Sequence, residues 1–243
     1  MLVEGFEIDE NNLPNHIGII MDGNYRWAQK NGLSRFDGHK NGVAALRNLL
    51  NFAYDVLHLN IISLYAFSIE NWKRTKEEVS FLMRLFLHFY KNEFQDIKKR
   101  KVRIIHSGTD DNLPASIKKT LVKMSEETKD NTRGTINLAF NYGGRNEIVE
   151  AAKRLALDFK NDKIDIKNIS ENAFEKYLFH PDLPDPDLII RTSGEQRISN
   201  FLLWQSAYSE LYFTETLWPD FNPAALVEAI SDYQKRERRF GGR

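Results

Sequence analysis

The chain reads as a single-domain α/β protein: a central, mainly parallel six-stranded sheet flanked by helices. Short apolar runs at 16–22, 61–67, 102–105, 135–141, 188–192 and 209–214 alternate with segments whose apolar residues recur at helical spacing. That alternation marks βαβ units, whose strands are buried on both faces. No internal repeat or low-complexity linker divides the 243 residues, so 1–243 is taken as one domain.

Residues 1–15 are expected to be an irregular lead-in ending near Pro14. His16-Ile17-Gly18-Ile19-Ile20-Met21-Asp22 is the first strand, stopped by Asp22-Gly23. A short helix over 24–31 ends at Asn31-Gly32, and Ser34 to His39 forms a loop. The helix over 40–57 carries Val43, Leu46, Leu50, Ala53 and Leu57 on one face. The strand at 61–67 is followed by a polar loop, Ser68 to Thr75. A long helix over 76–100 then shows one apolar stripe through Val79, Leu82, Met83, Phe86, Tyr90, Phe94 and Ile97, and another through Phe81, Leu85 and Phe89. One stripe suffices to pack on a sheet. The second calls for burial on two sides, a subunit interface or the wall of an apolar cavity.

The strand at 102–105 leads to an amphipathic helix over 113–129, and the strand at 135–141 closes with Tyr142-Gly143-Gly144-Arg145. A helix over 146–159, a polar stretch and a short helix over 171–179 follow. Pro181, Pro184 and Pro186 hold 180–187 extended or turned before the fifth strand. After the sixth strand come a helix over 221–238 and a basic tail, 239–243.

Composition narrows the function. Thirty-four Lys and Arg balance 34 Asp and Glu, so no global field favours nucleic acid, and none is expected as a partner. The absence of cysteine excludes disulfides, thiolate metal sites and cysteine catalysis, and is compatible with a reducing compartment. Neither a signal-peptide core nor a run of ~18 apolar residues is present, so a soluble, cytoplasmic protein is expected.

In parallel α/β sheets, ligands bind beyond the carboxyl ends of the strands. Those ends carry Asp22 to Arg26, Ser68 to Arg74, Asn141 to Arg145 and Arg191 to Ser199. One carboxylate beside a helix N-terminus suits a magnesium-bound diphosphate, and arginine forks suit diphosphate oxygens. Two phosphorylated groups are therefore expected, one near Asp22 and one near Arg191 and Arg197. Nucleotide fingerprints (GxxxxGK[ST], GxGxxG) and an Asp-Asp-x-x-Asp pair are missing.

Five long motifs now make the reading specific. They are His16-x-x-x-Ile20-Met21-Asp22-Gly23-Asn24-x-Arg26-Trp27-Ala28 with Gly38-His39; Leu64-Tyr65-Ala66-Phe67-Ser68-x-Glu70-Asn71-Trp72-x-Arg74; and Asn141-Tyr142-Gly143-Gly144-Arg145. The others are Asp187 to Gln205, with Arg191, Gly194, Glu195, Arg197, Ser199 and Asn200, and Tyr208-x-Glu210. In this order and across the whole chain they resemble the cis-prenyltransferases, the undecaprenyl diphosphate synthase family.

The resemblance implies a homodimeric enzyme with an apolar tunnel. It would condense isopentenyl diphosphate with an allylic diphosphate (farnesyl or geranyl) to Z-polyprenyl diphosphate, with Mg²⁺ as cofactor and an undecaprenyl carrier-lipid precursor as product. It implies Asp22 and Asn71 as catalytic residues, with Asp22 holding metal and Glu210 supporting either the metal or the arginines Arg191 and Arg197. Gly23, Asn24, Arg26, Trp27, Arg35 and His39 would surround the allylic diphosphate. Ser68, Glu70, Trp72 and Arg74 would lie on a loop near both substrates, and Arg191, Arg197 and Ser199 would bind isopentenyl diphosphate. The tail would reach the partner's site, and product release would bring peripheral membrane association. A short-chain or branching synthase and a non-catalytic partner subunit are the alternatives. Three residues depart from the usual pattern: Tyr25, expected to face solvent; Gln196, where a histidine is common; and Phe140, which would shorten the product if it faces the tunnel.

Overall fold

The computed structural model describes residues 1–237. The strands are β1 (Leu2–Val3), β2 (Phe6–Glu7), β3 (His16–Ile20), β4 (Ile61–Ser68), β5 (Val102–Ser107), β6 (Gly134–Tyr142), β7 (Leu188–Arg191) and β8 (Glu210–Phe213). The helices are α1 (Asn24–Lys30), α2 (Arg35–Asp55), α3 (Lys76–Lys99), α4 (Ala115–Thr128), α5 (Gly144–Lys160), α6 (Glu171–Glu175) and α7 (Pro223–Lys235). β5-β6-β4-β3-β7-β8 form one sheet whose five adjacent pairs are all parallel. β3 is central, with Ile20 opposite Arg191 of β7 and Ile17 opposite Ile62 of β4.

The strands read as unbroken apolar runs because both faces are covered. Ile17, Ile19, Leu64, Leu138 and Ile190 point into the larger core with α2, α3, α4 and α7. Ile189, Ala139 and Tyr142 point the other way, against Phe201 and Leu202. Each fully buried Ile or Leu contributes about 1.5–3 kcal/mol. Gly18 permits the close approach on the second face: a Cβ there would stand 3.0 Å from the Phe201 ring.

Several boundaries differ from expectation, each for a local reason. The lead-in contains an antiparallel hairpin, β1–β2, and a 3-10 turn at Glu10–Asn12 capped by Asp9. β3 ends at Ile20 because the Asp22 N–H turns back to the Ile20 carbonyl. α2 begins at Arg35, not Lys40. Ser34 and Asp37 form a capping box, each side chain accepting from the other's backbone N–H. His39 therefore sits on the helix. The polar stretch after β4 is a 3-10 turn, Ile69–Lys73, with Ser68 and Asn71 as its capping box. The helix expected over 171–179 spans only Glu171–Glu175. The last helix is Pro223–Lys235, capped by Asn222. The tail 239–243 lies outside the described residues.

Candidate active site

Asp22 lies just past the carboxyl end of β3, beside the end of β7. Its Oδ1 accepts the Gly23 N–H at 2.7 Å and its Oδ2 accepts Arg191 Nη2 at 2.8 Å. Its backbone N–H donates to Thr192 Oγ1 at 2.9 Å, so both strand ends fix the residue. Burial pushes the Asp22 carboxyl up, but the hydrogen bond and charge of Arg191 outweigh it and hold the group below the ordinary carboxylate value. Gly23 follows at φ +105°, where a Cβ would come 2.9 Å from Leu217 and 3.0 Å from Ser193. Only glycine makes this turn without strain. It starts α1, whose first turn has no side-chain cap.

Arg191 is buried, with 4% exposure. Nη1 donates to the Ser199 hydroxyl and the Arg197 carbonyl, both at 2.6 Å. Its Nε is buried without a partner. Arg26, in the first turn of α1, donates to the Ser193 carbonyl at 2.9 Å and lies 3.6 Å from Asp22 Oδ2. Asp22, Arg26, Arg191 and Ser199 are thus a single cluster, so residues expected at two separate phosphates stand together.

A second cationic group faces the first across the cavity mouth. Glu78, in the first turn of α3, accepts Arg74 Nη1 at 2.7 Å and pairs with Arg35 of α2. Its side chain is only 8% exposed. His39 stands on the same wall. Burial and the positive charges of Arg74 and Arg35 bring it down to about 4 against some help from Glu78, so it is neutral at pH 7. The Tyr25 ring lies under the Arg35 guanidinium, 4.1 Å from its centroid, and lines the cavity although it is 42% exposed. Tyr25 is exposed, as expected, and its ring also forms part of the rim, held by a cation–π contact.

Behind these groups is a cavity of about 940 Å³, at the upper end of ligand pockets. Its polar end contains Asp22, Arg26, Arg35, His39 and Arg74; its deep end is lined by Leu50, Leu85, Phe89, Ile97, Ile104 and Met124. Leu85 and Phe89 of the second α3 stripe face this space, while Phe81 packs tilted against Phe36 of α2, with ring centroids 4.4 Å apart. The doubly apolar helix is thus a cavity wall. Phe140 also faces the cavity, against Phe86 at 4.7 Å and Phe67 at 5.3 Å.

Gly23, Asn24, Ser68, Glu70 and Asn71 line the same cavity. Asn71 Oδ1 accepts the Ser68 N–H at 3.0 Å, and Glu70 Oε1 accepts Asn200 Nδ2 at 2.9 Å. Four expected residues do not join them. The Trp27 indole donates to Asp220 at 2.7 Å, and Trp27 does not line the cavity. The Trp72 indole donates to Asn141 at 2.7 Å and packs on Phe67. The Trp72 ring packs against the core, and the indole N–H groups of both are engaged away from the cavity. The Arg197 guanidinium is 59% exposed and pairs with Glu195 at 2.5 Å; only its carbonyl reaches Arg191. Glu210 opens β8 opposite Leu188, at the other end of the sheet from Asp22, and pairs with Arg236 at 2.8 Å. Within one chain it does not share a metal with Asp22, because parallel strands bring only their carboxyl ends to the site. Glu78 was missed by sequence reasoning; no motif distinguishes it from an exposed helix acid.

Among the described residues, no three His, Asp or Glu side chains converge as a metal cage. One ionised carboxylate with free donors around it fits a divalent cation that arrives on a diphosphate, since magnesium is commonly held by one or two carboxylates and substrate phosphates. The unpartnered Arg191 Nε is a donor left over for an anionic oxygen.

Known proteins give the same picture. Residues 20–241 match the family model described as undecaprenyl diphosphate synthase. Isoprenyl transferase from Fusobacterium nucleatum is 52% identical over 96% of this chain and 98% of its own length. Isoprenyl transferase from Thermotoga maritima is 48% identical over 95% and 97%. Lavandulyl diphosphate synthase from Lavandula x intermedia, solved in complex with dimethylallyl diphosphate, superposes with a TM-score of 0.92 at 34% identity over 95% of this chain and 99% of that one. The structure from Campylobacter jejuni described as a probable undecaprenyl diphosphate synthase gives 0.78 at 32% identity over the same shares.

Proposed function

Because this chain belongs to the undecaprenyl diphosphate synthase family of isoprenyl transferases, we propose that it elongates an allylic diphosphate, farnesyl or geranyl, with isopentenyl diphosphate to a Z-polyprenyl diphosphate. The observation that carries this reading is one continuous cavity with a cationic, carboxylate-bearing mouth and an apolar interior. A diphosphate ester with a hydrocarbon tail matches both halves.

Asp22 would hold Mg²⁺ together with the allylic diphosphate, and the bound cation would supply neutralisation of charge on the leaving diphosphate. Arg26, Arg35 and Arg74 spread the remaining negative charge, as donors aimed at charge that develops in the transition state. His39, neutral before binding, donates a hydrogen bond or takes up a proton when the anion arrives. Arg191 and Ser199 orient the second diphosphate, with Arg197 ordering Arg191 through its carbonyl. Asn71 and Ser68 form the polar edge where the isopentenyl double bond meets the allylic carbon. The new bond forms there, diphosphate leaves, and a proton is lost from the isopentenyl unit. The lengthened chain moves into the apolar end, where each buried CH₂ contributes about 0.8 kcal/mol.

A homodimer is part of this proposal. α5 buries little more than Gly144, Glu147 and Ala151 and leaves Val149, Leu157 and Phe159 exposed, and β8 is an open sheet edge with Tyr208 and Leu211 exposed beside it. A second copy covering this face is the setting in which Glu210 could approach a metal. Among the described residues no helix is long and apolar enough to cross a membrane; a cytoplasmic enzyme that meets the membrane only to hand over its product agrees with this. An undecaprenyl carrier-lipid precursor is the product proposed from the family name. The likeness to lavandulyl diphosphate synthase favours a second reading, a short-chain or branching synthase; the volume and apolar lining of the cavity favour elongation. Pyrophosphate release from farnesyl plus isopentenyl diphosphate with magnesium tests the proposal. No release above the magnesium-free control would overturn it.

A further inference from the structure

α2 and α3 flank the cavity, yet direct contact between them is sparse. Two glutamates of α3 bridge the gap. At the mouth Glu78 pairs with Arg35. Deeper along both helices, Arg47 Nε donates to Glu93 Oε2 at 2.6 Å and its Nη2 to Glu93 Oε1, a two-pronged pair. With 1.5 Å of rise per residue, the two bridges are about 20 Å apart along the helices. Between them the facing walls are apolar: Val43 and Leu46 from α2, Leu82, Leu85 and Phe89 from α3.

Glu93 is one turn beyond Phe89 and one turn before Ile97, both cavity residues, and Arg47 is flanked by Leu46 and Leu50. The Glu93 side chain is 8% exposed, whereas that of Arg47 is 50% exposed. Neither side chain lines the cavity itself; the pair lies behind the cavity residues Leu46, Leu50, Phe89 and Ile97, with the carboxylate the more buried end and the guanidinium the more exposed. A hydrocarbon chain cannot pass between these charges without separating them, and an unpaired buried carboxylate is strongly disfavoured.

We propose that the Arg47–Glu93 pair is a side latch between α2 and α3 that confines the growing chain and sets the longest product the enzyme releases. The proposal rests on the prenyl-elongation reading for its product readout, but not for its mechanical one. It makes Arg47 and Glu93 specificity-determining positioning residues, remote from the diphosphates. Breaking the latch lets α2 and α3 part, so a chain that has filled the cavity emerges between them and keeps growing. Locking it holds the chain inside.

The chain contains no cysteine, so an R47C/E93C variant carries a unique thiol pair that a short bis-maleimide can tether. R47A, E93Q and the untethered pair are the open forms; the tethered pair is the closed one. Product lengths from isopentenyl and farnesyl diphosphates are compared by chromatography, and escape of Nile red preloaded into the cavity is followed on dilution. Open forms are expected to extend the longest product by one or more isoprene units, with the first condensation near the wild-type rate. They should release dye roughly five-fold faster, the rate equivalent of losing a half-exposed ion pair. Tethering should reverse both effects. Equal product lengths and equal dye escape in folded open and tethered forms would overturn the latch. If the wild-type protein makes no prenyl product, the elongation reading falls, and dye escape alone decides the latch.

Discussion

Replacing Asp22 by asparagine keeps the shape of the site and removes one charge, so its effects separate two roles of the carboxylate. The first is structural. Arg191, 4% exposed, loses the one carboxylate it pairs with among the described residues and keeps Ser199, the Arg197 carbonyl and the new amide oxygen. Breaking a buried pair costs about 3–5 kcal/mol. Asp22 is 32% exposed and an acceptor remains, so about 2 kcal/mol is expected here, or a Tm lower by about 4–8 °C for a chain of this size. The second role is toward the ligand. A diphosphate seated by Arg26 and Arg191 meets the Asp22 carboxylate as a like charge. At about 5 Å and an effective dielectric of about 20 the repulsion is roughly 3 kcal/mol for unit charges, and screening brings it to about 1–2 kcal/mol. With EDTA present, D22N is therefore expected to bind inorganic pyrophosphate about five- to thirty-fold more tightly than wild type. With excess magnesium the order reverses, and D22N has no measurable turnover. Isothermal titration in both conditions reads the crossover. Tighter pyrophosphate binding by the wild type in EDTA, or substantial turnover by folded D22N, would refute a carboxylate placed for a metal diphosphate.

Glu78→Gln releases Arg35 and Arg74 from their shared anion. Steady-state kinetics should show kcat lower by roughly ten-fold, as misplaced positioning groups cost, with a smaller change in KM for the allylic substrate; an unchanged kcat would remove Glu78 from the site's organisation. His39 has a folded value of about 4 against an ordinary 6.5. A depressed histidine binds its proton more readily when unfolded, so stability is lost as pH falls from 6.5 through about 4, by up to about 3 kcal/mol, and is flat in this group above 6.5. Urea unfolding of wild type and His39→Gln at several pH values checks this, and equal pH slopes would contradict it. Phe140→Ala enlarges the cavity where Phe140 stands against Phe86. Longer products with an unchanged first condensation are expected, at a stability cost of about 3–4 kcal/mol for a buried ring; an unaltered length distribution would free Phe140 from any part in product size.

The strands were legible because central parallel strands are apolar on both faces, and β3, ending at Ile20, is followed within two residues by the Asp22 carboxylate. The doubly apolar helix was legible as a pattern, but whether Leu85 and Phe89 face a neighbour or a cavity is settled only by where α2 stands. The start of α2 was missed although Ser34 and Asp37 have capping spacing, since Gly38 suggested a loop. Trp27 and Trp72 have motif neighbours in the cavity while their own rings turn to Asp220 and Asn141. Side-chain direction at a helix start is not readable from spacing. Glu78 and Glu93 were not legible at all, because their partners Arg35 and Arg47 come from another helix. Glu210 was read as a metal ligand by resemblance, yet it opens its strand, and parallel register alone sets it at the opposite end from Asp22.

The most direct test of the central claim is chromatography of the products made from labelled isopentenyl diphosphate with farnesyl or geranyl diphosphate and magnesium. A ladder of Z-polyprenyl diphosphates, each one isoprene unit longer than the last and leading to one dominant long product, is expected. No incorporation of label, or a single ten-carbon product from dimethylallyl diphosphate alone, would contradict it.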